Sequence, residues 1–185
     1  MKYFFNALSF LTIIPVYQKD GNDIYKSFRF FPLVGALIGT ITYLIYHILM
    51  LFLPQNVSTV ISLFIYHIIN GGLHLDGFAD LFDAYFGSKK NKERFKEILK
   101  DSRVGVMGVF GLIFYFSIMF FTLLNIKLDF HFFVALGIYG RLAIVIITFL
   151  SKPLFEEGLG SYFIKNVTVQ ELFISLATSF ILVLF

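Results

Sequence analysis

Residues 30–53 read FFPLVGALIGTITYLIYHILMLFL, a run with no Asp, Glu, Lys or Arg. A stretch of about 20 apolar residues is what a helix needs to cross the hydrocarbon of a bilayer. The chain around it has the matching composition: of 185 residues 58% are hydrophobic and only 15% charged, with 26 phenylalanines. Soluble domains average about 45–50% apolar and about 25% charged residues. The bilayer is therefore the main solvent. The expected fold is all-α, a polytopic integral membrane helical bundle, and in a bilayer only helices and closed barrels satisfy their backbone.

Four more apolar runs follow. The turn Pro54-Gln55-Asn56 leads into residues 57–75, which become polar at the end through His67, Asn70 and His74. Residues 104–126, 130–150 and the shorter 172–185 complete about five spanning or partly spanning helices. The first segment, residues 3–16, is too short to span; Pro15 and the polar Gln18, Lys19 and Asp20 end it, so it reads as an N-terminal interfacial helix. No small-x-small cleavage pattern follows it, which argues against a secretory signal. No repeat or soluble linker interrupts the chain, so residues 1–185 read as one membrane-embedded domain. Thirteen of the fifteen Lys and Arg fall in 1–29, 76–103 and 151–171, all on one side of the expected spans. The positive-inside rule places those segments in the cytoplasm, at the inner face of the cell membrane. The net charge of +3 is too small and too scattered for a nucleic-acid footprint.

The segment GGLHLDGFADLFDA, residues 71–84, carries the chemistry. Asp76, Asp80 and Asp83 are spaced i, i+4, i+7, so at about 100° per residue they share one helix face. An Asp at mid-bilayer costs about 2.5–3.5 kcal/mol, and three together on the order of 8–10 kcal/mol. That cost is offset if the stripe meets interfacial water or holds hard divalent cations. With no cysteine in the chain, a metal must be held by oxygen or imidazole, and a carboxylate cluster suits Mg²⁺, Ca²⁺ or Mn²⁺. The competing account, three solvated loop acids, does not explain their shared face.

Residues 88–103, SKKNKERFKEILKDSR, set a narrow apolar stripe of Phe95, Ile98 and Leu99 among cations and read as an amphipathic surface helix. Anionic headgroups explain it without further assumption; phosphate capture by Lys100 and Arg103 is the sharper alternative. Arg141 lies inside an apolar run, where an ionisable residue marks either a functional partner or a structural pair. Gly158 and Gly160 read as turn residues and Glu156 and Glu157 as solvated acids. The four histidines fit no metal spacing. His47 and His67 read as packing residues, while His74 is of interest because it borders Asp76.

Four motifs in order, FPLVGALIG, GGLHLDGFADLFDA, KDSRVGVMG and EEGLGSYFIK, closely resemble the adenosylcobinamide-GDP ribazoletransferase (cobalamin synthase) family over essentially the whole chain. The resemblance implies a membrane enzyme that joins adenosylcobinamide-GDP to α-ribazole or its phosphate and releases GMP, with Mg²⁺ as cofactor. It implies Asp76, Asp80 and Asp83 as metal and catalytic carboxylates. The chemistry needs a carboxylate not fully committed to metal to accept the hydroxyl proton, and within that set Asp83 is the favoured base, with Asp80 beside it. Lys100, Asp101 and Arg103 are implied as neighbours of the substrate phosphate, and Arg141 and His74 are further candidate substrate contacts. Self-association into a homo-oligomer stays open. The family pattern continues into further helices and a glycine-rich segment with another aspartate, whereas this sequence ends at Phe185 in an apolar run. Two other functions compete. A CDP-alcohol-type phosphotransferase would also use membrane-face aspartates, but the arginine usual between them is absent. A small divalent-cation transporter would spread its acids through the membrane depth rather than gather them at one end.

Overall fold

The computed structural model describes residues 1–16 and 23–184. Among them are nine α-helices: α1 (Lys2–Leu11), α2 (Phe31–Leu49), α3 (Gln55–Ile69), α4 (Leu73–Gly87), α5 (Lys92–Ile98), α6 (Val106–Leu124), α7 (Phe130–Leu150), α8 (Leu159–Asn166) and α9 (Val169–Leu184). A 3-10 helix, Ile24–Phe30, runs directly into α2. The described residues contain no strand, as expected. Three helices are long and apolar enough to cross a membrane: Ile24–Leu49, α6 and α7. Two bent pairs, α3 with α4 at 90° and α8 with α9 at 91°, raise the number to five if each pair is one broken span. The chain is thus a multi-pass helical membrane protein. Gln18, Lys19 and Asp20, expected to end the first segment, lie outside the described residues.

The chain divides into two compact units, residues 1–53 with 128–185 and residues 54–127. In the first, α2 and α7 meet backbone to backbone. A Cβ on Gly35 would overlap the carbonyl of Gly137, and one on Gly39 the carbonyl of Phe133. The spacing Gly35-x-x-x-Gly39 is the small-residue pattern that lets membrane helices approach closely, where van der Waals packing replaces the hydrophobic drive available in water. Phe28 and Phe31 stack with ring centroids 4.2 Å apart, and Phe163 of α8 closes on Phe28 at 4.7 Å. Ser175 of α9 donates to the Phe28 carbonyl at 3.1 Å, tying α9 to the 3-10 helix.

At the start of α9, Glu171 accepts from the Thr168 backbone N–H at 3.1 Å and from its hydroxyl at 2.6 Å, while Thr168 Oγ1 accepts from the Gln170 N–H at 3.2 Å. This reciprocal arrangement is a capping box written as Thr-x-x-Glu. The other Glu171 oxygen pairs with Arg29, and the carboxylate is buried.

The second unit begins with α3, which does not continue to residue 75. It stops at Asn70, and Gly71 and Gly72 take φ of 65° and 69°, a left-handed conformation nearly free of penalty only for glycine. The chain then turns into α4, so the expected single run is a helix, a two-glycine corner and a second helix. The basic segment differs as well. Only Lys92–Ile98 is helical, capped by Asn91 accepting from the Arg94 N–H at 2.9 Å, so Lys100, Asp101 and Arg103 lie beyond the helix. Gly158 takes a left-handed φ of 110°, as a turn residue should, whereas Gly160 lies within α8. His67 packs among the rings of Tyr66, Tyr115 and Phe116, and His47 stacks on Tyr43.

Candidate active site

The aspartate segment is helical, and its position follows from α6. Helix α6 starts at Val106 after a glycine N-cap that offers no side chain to its first backbone N–H groups. Those groups are unsatisfied within any helix and must find an outside acceptor. Asp83 of α4 supplies it: one carboxylate oxygen accepts from the Gly105 N–H at 2.7 Å and the other from the Gly108 N–H at 2.8 Å. The negative charge also stands at the positive end of the α6 dipole.

Glycine at both donors leaves room for this contact, because a Cβ on Gly105 or Gly108 would overlap the Asp83 carboxylate. One turn further on, a Cβ on Gly111 would come within 2.7 Å of the Phe82 ring, and Phe78 lies 5.6 Å from Tyr115. Helices α4 and α6 therefore run antiparallel along a glycine face spaced at 105, 108 and 111.

Asp76, exposed in the first turn of α4, and the half-buried Asp80 have different surroundings from Asp83. Neither is hydrogen-bonded or ion-paired among the described residues, and Asp80 feels the charge of both Asp76 and Asp83. The three carboxylates share a face as their spacing requires. At 1.5 Å rise per residue, however, Asp76 and Asp83 are separated by about 10 Å along the axis. Among the described residues no three Asp, Glu or His side chains gather closely enough to hold one metal ion. Asp76 and Asp80, one turn apart, form the pair able to share a cation. That pair fits Mg²⁺, which is typically held by one or two carboxylates and completes its shell with waters and substrate phosphate oxygens. His74 is exposed in the same first turn.

The connection from α5 to α6 brings the expected phosphate residues next to this helix pair, since Gly105 is bonded to Asp83 two residues after Arg103. Arg103 does not present a bare guanidinium. It donates to both oxygens of Asp101, at 2.8 Å from Nη2 and 3.0 Å from Nε, and its backbone N–H donates to the same carboxylate at 3.1 Å. These bonds hold the Asp101 carboxyl at a pKa of about 2, well below the usual range. Lys100 is exposed beside them. Arg141 is buried on α7, in the first unit.

A family profile described as cobalamin-5-phosphate synthase matches residues 3–185. The chain belongs to that family. It is similar to the adenosylcobinamide-GDP ribazoletransferase of Clostridium tetani, 34% identical over 95% of this chain and 73% of the relative. It is also similar to that of Clostridioides difficile, 34% identical over 99% of the chain and 72% of the relative. The enzyme of the same name in Treponema denticola is 37% identical over 91% of the chain and 65% of the relative. No solved structure matches. In this cobalamin-5-phosphate synthase relative, the residues that sequence reasoning missed are Gly105, Gly108 and Gly111, whose i, i+3, i+6 spacing was the available signal.

Proposed function

We propose that the chain is an adenosylcobinamide-GDP ribazoletransferase of the cytoplasmic membrane. It joins adenosylcobinamide-GDP to α-ribazole or its phosphate and releases GMP. Family membership over residues 3–185 supports the reaction class, and the Asp76–Asp80 pair supports its placement on α4. The excess of cations around the α4–α6 connection supports a cytoplasmic site.

In the reaction a ribazole hydroxyl attacks the cobinamide-side phosphorus of the pyrophosphate, the bond from that phosphorus to the bridging oxygen breaks, and GMP departs. Mg²⁺ held by Asp76 and Asp80 would neutralise phosphate charge and align the attacking and leaving oxygens. An Asp80 oxygen not committed to Mg²⁺ would accept the hydroxyl proton, since Asp80 carries no hydrogen bond while both oxygens of Asp83 are occupied. Asp83 holds α4 against α6 and so fixes the height of the other two carboxylates. Lys100 and Arg103 meet the departing phosphate, with Asp101 orienting the guanidinium. His74 contacts the larger substrate from the first turn of α4.

The test is GMP release by the purified 185-residue chain given both substrates, with Mg²⁺ and again with EDTA. Mg²⁺-dependent release of GMP and cobalamin product is the expected result. Turnover that persists undiminished in Asp80→Asn would overturn the assignment of the site to α4.

A further inference from the structure

Between α4 and α5 the chain makes a strongly cationic corner, apart from the residues proposed above for the transfer reaction. Lys89 and Lys90 take φ of 50° and 68°, in the left-handed region that side chains other than glycine rarely adopt. Such conformations persist only where the surroundings over-determine them. Here the corner is pinned on both sides. The Ser88 N–H donates to the Ala84 carbonyl at 3.0 Å, the Ser88 hydroxyl donates to the Tyr85 carbonyl at 3.3 Å, and the Asn91 N–H donates to the Ser88 carbonyl at 2.9 Å. Asn91 also caps α5.

The result is an open groove of about 440 Å³ lined by Lys89, Lys90 and Lys92 together with Tyr85, Phe86 and Phe95. No carboxylate lines it. The acids of this segment, Glu93, Glu97 and Asp101, repeat every fourth residue and open onto a different depression, with Arg94 and Ile98.

The groove also sits at a defined level. Asp83, in the last turns of α4, is bonded to the first residues of α6, so the corner stands at the end of a helix able to cross the membrane. Tyr85 and Phe86 are 69% and 51% exposed there, the arrangement of aromatic residues at a membrane–water boundary. A phosphate that meets three lysines while its hydrophobic neighbour meets exposed rings has the chemistry of a lipid headgroup.

We propose that the groove formed by Tyr85, Phe86, Lys89, Lys90, Lys92 and Phe95 binds the headgroup of an anionic phospholipid. Lysines near an anionic surface each contribute about fivefold in partitioning. Removal of three is expected to weaken binding on the order of a hundredfold.

The experiment is native mass spectrometry of the detergent-purified full chain, titrated with phosphatidylglycerol and, separately, phosphatidylcholine. The wild type is expected to bind phosphatidylglycerol in preference, and the preference is expected to vanish in Lys89→Gln/Lys90→Gln/Lys92→Gln. It should survive in Lys2→Gln/Lys96→Gln/Lys152→Gln, which removes the same charge elsewhere. Three results would overturn the proposal: no preference in the wild type, an undiminished preference in the groove variant, or loss of bound lipid in the wild type on adding inorganic phosphate or GMP, which would make the site one for a soluble phosphate. The wild-type arms decide independently of whether either variant folds.

Discussion

Asp80 and Asp83 are three residues apart on one helix and have opposite hydrogen-bonding states. Both oxygens of Asp83 are occupied by backbone N–H groups, whereas Asp80 has no such bond. Asp83→Asn turns an amide N–H₂ toward one of those donors and leaves it unsatisfied, a loss of about 1–3 kcal/mol. Thermal unfolding should show that destabilisation, and Gly108→Ala should reproduce it by displacing the carboxylate. Asp80→Asn should leave the unfolding temperature near wild type while abolishing Mg²⁺-dependent turnover. If Asp83→Asn unfolds like the wild type, its cap on α6 contributes nothing.

The Arg103–Asp101 pair makes a separate prediction at this scale. The Asp101 pKa of about 2 lies below its ordinary value, so the ionised pair is favoured in the folded chain above the ordinary carboxylate range and is lost as pH falls through about 2. A carboxyl-carbon NMR titration should find Asp101 charged at pH 3, and Arg103→Gln should return its midpoint to near 4.

At the scale of elements, two devices decide where helices begin and turn. The capping box of Thr168 and Glu171 starts α9, and the same glutamate is the buried partner of Arg29 from the 3-10 helix. Glu171→Ala removes the cap and leaves the guanidinium, itself largely buried, without its carboxylate. The expected loss is about 3–5 kcal/mol, against about 1 kcal/mol for Thr168→Ala, which removes the hydroxyl alone. Denaturation in mixed micelles distinguishes the two; equal effects would mean that the ion pair adds nothing to the cap. The corner between α3 and α4 depends on Gly71 and Gly72, both left-handed. Open space surrounds Gly72, so Gly72→Ala meets no clash and tests the backbone conformation alone, with an expected cost of about 1–2 kcal/mol.

At the scale of the whole molecule, lipid contact and close helix packing share the same apolar sequence. Helix α6 leaves Ile113, Phe114, Ile118 and Phe121 more than half exposed, an apolar face suited to a hydrocarbon solvent. Gly35, Gly39 and Gly137 instead hide their backbone in the α2–α7 contact. Gly35→Leu should therefore separate those helices and lower the yield of monodisperse protein, whereas Phe121→Leu on the lipid face should not; size-exclusion chromatography in detergent checks both. Composition and run length were enough to establish the helical membrane class, because about 20 uncharged residues in succession have few other stable solutions. The 3.6-residue period placed Asp76, Asp80 and Asp83 on one face for the same local reason. Their division of labour was not local. It depends on α6 arriving 22 residues after Asp83 with two N–H groups that need an acceptor, a fact of tertiary contact between helices. The same holds for Arg29 and Glu171, 142 residues apart, and for Gly35 against Gly137. Sequence by itself determined which residues could form helices, meet lipid and bear charge. Only the tertiary structure decided which carboxylate is consumed in holding helices together and which carries no hydrogen bond, because that choice depends on which unsatisfied backbone groups another element brings within 3 Å.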